Sequence, residues 1–205
     1  MSFTKTKIYN LACSALLLSR EISDTETDRI TNEVRVLNTF WDDALTSTLQ
    51  ELDLDSLSES LSLEMIATID GPWSFVYKYP SRCAFLRRIE SGAITDSRST
   101  HIAKKIGIYN GHKAIFTNEY AATAECITKD VELNVLSSPA GFALAHKLAF
   151  LASPLLVGKG AKTLRDEIYQ KYLMFLNDAR NLDSNENFNY DDIATRSEFV
   201  AARLE

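Results

Sequence analysis

Asn110-Gly111 stands between two short apolar runs, residues 106 to 109 and 114 to 117, and constrains the chain path more tightly than any other dipeptide here. Both residues tolerate the positive φ of a type I′ turn, whose twist matches that of paired strands, so the segment predicts a β-hairpin. Residues 83 to 89 read as a strand before it, and residues 121 to 128 as a further strand completing a meander. Upstream, residues 65 to 69 read as extended. Gly71-Pro72 then breaks any helix, because the residue before proline is driven out of the α region. Residues 65 to 136 therefore read as a small β-rich insert.

Both flanks carry helical periodicity. Ile8, Leu11, Ala12, Ala15, Leu16 and Ser19 fall at steps of three and four, which predicts an amphipathic helix over residues 5 to 22. Ser23, Asp24 and Thr25 offer capping oxygens, with Glu26 and Asp28 in the first turn, and place the start of a second helix there. Its core face is Ile30, Val34, Leu37, Trp41, Ala44 or Leu45, and Leu49, and it runs to about Leu52. Residues 52 to 63 mix periods of two and of three to four, compatible with a ragged helix or an extended link. Ser137-Ser138-Pro139 opens a third helix that is apolar on most sides, through Phe142, Leu144, Ala145, Leu148, Ala149, Leu151 and Ala152, and that breaks around residues 154 to 160. Leu164, Ile168, Tyr172, Phe175, Leu176 and Ala179 define a last long helix ending near Leu182. Residues 183 to 205 turn polar with isolated aromatics and read as an extended tail outside the core.

The fold class expected from this order is mainly α with some β: a four-helix bundle, residues 1 to 64 and 137 to 182, with a small antiparallel sheet or hairpin insert, residues 65 to 136. Together residues 1 to 182 make one domain, followed by the arm, residues 183 to 205. At 205 residues and 45% hydrophobic, the chain is large enough for one shared core. No apolar run approaches the roughly 20 residues that cross a bilayer, and no secretory signal pattern opens the chain, so synthesis in a cytoplasm without membrane partners is expected. Cys13, Cys83 and Cys126 are an odd number, far apart and set among apolar neighbours, which fits buried reduced thiols.

The net charge of −6 is unevenly distributed: residues 1 to 20 carry +3, residues 21 to 69 carry −10, residues 70 to 113 carry +5 and the remainder −4. An acidic flank beside a basic insert suits complementary sides of copies packed in a ring, with Asp42 and Asp43 on one side and Arg87 and Arg88 on the other as contact candidates. An acidic chain without a coherent basic surface disfavours ordinary nucleic-acid binding.

Signals of chemistry are weak throughout. Gly158-Lys159-Gly160-Ala161-Lys162-Thr163 lacks the glycines of a phosphate loop, follows a helix and reads as an interhelical turn. His101, His112 and His146 stand singly, with no metal-ligand spacing, and His146 reads as a core histidine. Asp42-Asp43 and Asp191-Asp192 are adjacent pairs with nothing to desolvate them for acid-base work. No catalytic residue, metal ligand or cofactor is assigned.

In order along the chain come a two-helix start, the segment Trp73-Ser74-Phe75-Val76-Tyr77-Lys78-Tyr79-Pro80 leading to Cys83, a hairpin and two closing helices ending in Ala179-Arg180. This pattern resembles the head-to-tail adaptor family of tailed bacteriophages, the tail tubular protein A type. Ser81-Arg82 departs from that family's small-acidic pair before the cysteine. The resemblance implies a structural virion protein at the head-tail neck, made in the host bacterial cytoplasm and without enzymatic activity. It implies a ring of twelve that joins the portal protein to a tail nozzle or tail-tube protein while DNA passes through the lumen without specific binding. It also implies that the C-terminal arm docks on the portal, a role suited to Phe188, Tyr190, Phe199, Val200 and Leu204. The alternative is a cytoplasmic helical DNA-binding or regulatory module.

Overall fold

The computed structural model describes residues 2–19, 21–23, 31–91, 102–158 and 160–186. Thr4 caps α1 (Lys5–Ala15), its hydroxyl accepting from the Lys7 N–H at 3.2 Å. The helix stops at Ala15 rather than near residue 22, because Leu17 takes a left-handed φ of 60° and turns the chain away. Thr31 caps α2 (Asn32–Leu52), so this helix starts well after Ser23, while residues 24 to 30 lie outside those described. Asp53, at φ 46°, ends it in the left-handed conformation that a short polar residue tolerates.

A 3-10 turn (Asp55–Leu57) leads into seven strands: β1 (Ser58–Ser62), β2 (Met65–Thr68), β3 (Phe75–Lys78), β4 (Cys83–Glu90), β5 (Lys104–Tyr109), β6 (His112–Thr117) and β7 (Thr123–Thr128). They form two antiparallel sheets, β1-β7-β4 and β2-β3-β6-β5. The expected hairpin is present, with Asn110 at φ 48° and Gly111 at φ 81° joining β5 to β6. The expected meander is not. Ala121, at φ 55°, turns the chain out of the hairpin sheet, and β7 becomes the central strand of the other one. Tyr77 holds that crossing: its hydroxyl donates to the Glu119 carbonyl at 2.9 Å and accepts from the Ala122 N–H.

Ser137 caps α3 (Ser138–Leu156), whose first turn contains proline. Pro154 sits inside the last turn, and Gly158, at φ 86°, carries the chain into α4 (Lys162–Glu186). By length and composition α3 is apolar enough to cross a membrane, yet here it packs against α1, α2 and α4. Phe3 lies on Gly141, where a Cβ would overlap the phenyl ring, and this close approach requires glycine.

These pieces stack in three layers. Leu37, Leu49, Leu144, Leu148 and Tyr172 fill the helical core, and Ala84 of β4 and Ile127 of β7 join them from the adjoining sheet. From the other face of β4 and β7, Cys83, Leu86, Cys126 and Ala124 meet Tyr77 and Ile115 of the second sheet. The three-stranded sheet is thus covered on both faces, which explains why β7 is buried along nearly its whole length. Each large apolar side chain buried in this way contributes about 1.5–3 kcal/mol. The expected four-helix bundle with a small hairpin insert is therefore corrected: among the described residues, four helices and seven strands in two antiparallel sheets make a mixed α+β fold. Residues 58 to 62, expected within the bundle, supply an edge strand, and α4 runs past Leu182 to Glu186.

Candidate functional site

A cleft of about 610 Å³ opens where α2 meets both sheets. Thr46 and Gln50 come from α2, Glu64 and Ile66 from the start of β2, and Lys78 to Ser81 from the turn that leads β3 into β4. Cys83, Ala84, His112, Lys113 and Lys129 complete the wall. Gln50 fixes the helix to the sheet, its Nε2 donating to the Ala84 carbonyl at 2.8 Å.

Cys83 lies on the cleft wall with its Sγ 3.2 Å from the Tyr79 hydroxyl. The turn at Pro80, closed by the Cys83 N–H on the Pro80 carbonyl, folds Tyr79 back over the thiol. Across the ladder, Cys83 is opposite Thr128 and Cys126 lies two positions before Thr128, so both sulfurs share the face between the sheets. Hydrogen bonding toward the Cys126 thiol and the Tyr79 hydroxyl, with the charges of Lys113 and Lys129, outweighs burial and lowers the Cys83 pKa to about 6. Cys126 is pushed the other way, first by its bond to Cys83 and then by burial. Lys113 Nζ sits 3.5 Å above the Tyr79 ring, and Lys78 pairs with Glu64 at 3.4 Å. The cleft therefore offers a nucleophilic sulfur in a locally cationic setting.

A second charged cluster joins the end of α2 to the sheet. Arg87 binds Asp53 and Glu125, each at 2.9 Å, and also Asp55. Arg88 pairs with Glu90 at 3.1 Å and contacts Glu125. The two arginines expected between copies thus have partners inside the subunit, whereas Asp42 and Asp43 are exposed on α2. Phe188, Tyr190, Phe199, Val200 and Leu204 lie outside the described residues, as do Asp191, Asp192 and His101.

His112 lines the cleft, while His146, expected in the core, is half-buried, its Nδ1 meeting the Phe142 carbonyl at 2.9 Å and its ring packing on Phe175. Among the described residues no group of three or more His, Cys, Asp or Glu side chains gathers as metal ligands. All three cysteines are buried free thiols, as expected, but the meeting of Cys83 with Cys126 has no signal in their sequence spacing. Comparison with protein-family models and with curated proteins finds no match. The adaptor resemblance accordingly rests on the sequence pattern alone.

Proposed function

We propose that this chain is a structural assembly subunit, a head-to-tail adaptor of the tailed-phage type, that builds a ring through contacts between different edges of its outer sheet. The observation that carries this reading is the β2-β3-β6-β5 sheet, whose two edge strands are paired on their inner sides only and have no ladder partner on their outer sides among the described residues. Both edges also expose apolar side chains: Ile106 is 45% and Ile108 77% accessible on β5, and Met65 38% and Ile66 41% on β2. Unpaired, apolar strand edges are templates for another chain. Two unlike edges on one subunit give a head-to-tail contact, which closes into a ring when the rotation permits. Glu64 and Asp70 bracket β2 while Lys105 projects from β5, a complementarity in keeping with the acidic and basic halves of the sequence.

In this reading the ring of twelve sits at the head-tail neck, between the portal protein and a nozzle or tail-tube protein. DNA passes its lumen without specific binding, the subunit performs no catalysis, and residues 187 to 205 serve the portal contact. Light scattering of the chain alone and with portal protein tests it. Ring-sized particles with portal are expected, and Ile108→Asp should abolish them while leaving the subunit's melting temperature unchanged. A wild-type chain that remains monomeric with portal, or an Ile108→Asp variant that assembles normally, would overturn the proposal.

A further inference from the structure

The cleft sulfurs have no part in that assembly role. We infer that Cys83 and Cys126 are an oxidisable dithiol, which an anionic low-molecular-weight disulfide of the glutathione type reaches through the cleft. Three observations combine. Cys83, 3% accessible, lines the cleft and Cys126, fully buried, does not, so Cys83 is the thiol on the reagent's side and Cys126 the one held in reserve. The strand register places them as diagonal neighbours on one face, and both belong to the apolar cluster between the two sheets. Lys113 and Lys129 line the same cavity, whereas its one carboxylate among the described residues, Glu64, is paired with Lys78, so the wall favours a negatively charged ligand.

The chemistry balances as thiol-disulfide exchange. The Cys83 thiolate attacks one sulfur of the external disulfide, the external S–S bond breaks, and the departing thiolate takes up a proton. The Cys126 thiol then attacks the Cys83 sulfur of the mixed disulfide, its proton passing to the second external thiolate as that group departs. The Cys83–Cys126 bond forms, and the second external thiol leaves. The protein dithiol has lost two electrons and the external disulfide has gained them. The Tyr79 hydroxyl beside Cys83 donates to the thiolate in the first step, and the lowered Cys83 pKa keeps that thiolate populated near neutrality.

Incubating the full chain with oxidised glutathione, followed by intact mass and peptide mapping, tests the inference without any substitution. The wild-type chain should lose two hydrogens in a Cys83–Cys126 bridge, reversed by excess reduced glutathione. Cys126→Ser should instead accumulate one glutathione on Cys83, because no resolving thiol remains. Cys83→Ser should leave Cys126 unmodified, and Cys13→Ser should behave as wild type. A wild-type chain that forms no bridge under these conditions, or whose first adduct falls on Cys13 or Cys126, would overturn the inference.

Discussion

Asp183 sets its two carboxylate oxygens on the backbone N–H groups of Asp55 and Ser56, at 2.8 and 3.1 Å. The last turn of α4 thereby caps the 3-10 turn that leads α2 into β1, tying the end of the helical region to the start of the sheets. Asp183 is buried, so these charge-assisted bonds are sheltered from water. Asp183→Ala should cost about 1.5–3 kcal/mol in urea unfolding. A chain ended after Glu186 should keep wild-type stability, while one ended after Leu182 should show the same loss as the substitution.

Glu51 is the corresponding hub among the helices. Its carboxylate accepts from Lys147 and from the Tyr172 hydroxyl, both at 2.7 Å, and its backbone carbonyl accepts from Arg180. Burial would raise its pKa, but those two hydrogen bonds and the charges of Lys147 and Arg180 hold it below the ordinary value of 4.5. The carboxyl is depressed in the folded chain, so its stabilisation is complete above about pH 4.5 and is lost as the pH falls through the lowered value. Melting curves from pH 3 to 6 should show this loss in the wild type and a weaker slope in Glu51→Gln. Because the Glu51 side chain is 41% exposed, Glu51→Ala should cost only about 1–2 kcal/mol at neutral pH.

Arg87 should matter to the subunit before it matters to any contact between copies. Removing it leaves the buried carboxylate of Glu125 without its 2.9 Å partner and releases Asp53 and Asp55. Arg87→Ala should destabilise the monomer by about 2–4 kcal/mol. Arg88 is more exposed, and Arg88→Ala should cost below about 1 kcal/mol. Chemical denaturation of both variants, compared at low and moderate salt, checks the ranking.

Thiol reactivity should separate the cysteines by pH. The bond from Cys126 brings Cys83 down to about 6, while burial, assisted by Glu33, pushes Cys13 up to about 11. Since the thiolate is the reactive form, iodoacetamide at pH 7 should label Cys83 well ahead of Cys13. Peptide mapping over pH 5 to 9 should give a rise for Cys83 centred near pH 6, and no comparable rise for Cys13.

Local physics made several elements legible. Asn110-Gly111 specified its turn because few dipeptides accept two positive φ values in succession, and Ser137 with Pro139 announced α3 because capping and a fixed φ act within one turn. The all-round apolar character of α3 also gave its central position. The cleft was not legible, because Gln50, Ile66, Cys83 and Lys113 reach it from four separate elements.

The sequence by itself determined the Asn110-Gly111 turn, the capped start of α3 and the helical or extended character of most stretches, since those preferences arise from neighbours a few residues apart. Tertiary structure decided which strands pair. Residues 58 to 62 are polar enough to pass for a link, and they became β1 because β7 offered an open edge to them. β7 itself left the hairpin sheet because, between the helices and the second sheet, both of its apolar faces are covered at once. The same choice brought Cys126 beside Cys83 and the end of α4 beside Asp55. Such long-range pairings depend on how much apolar surface each arrangement removes from water, a sum over the whole fold that no local segment carries.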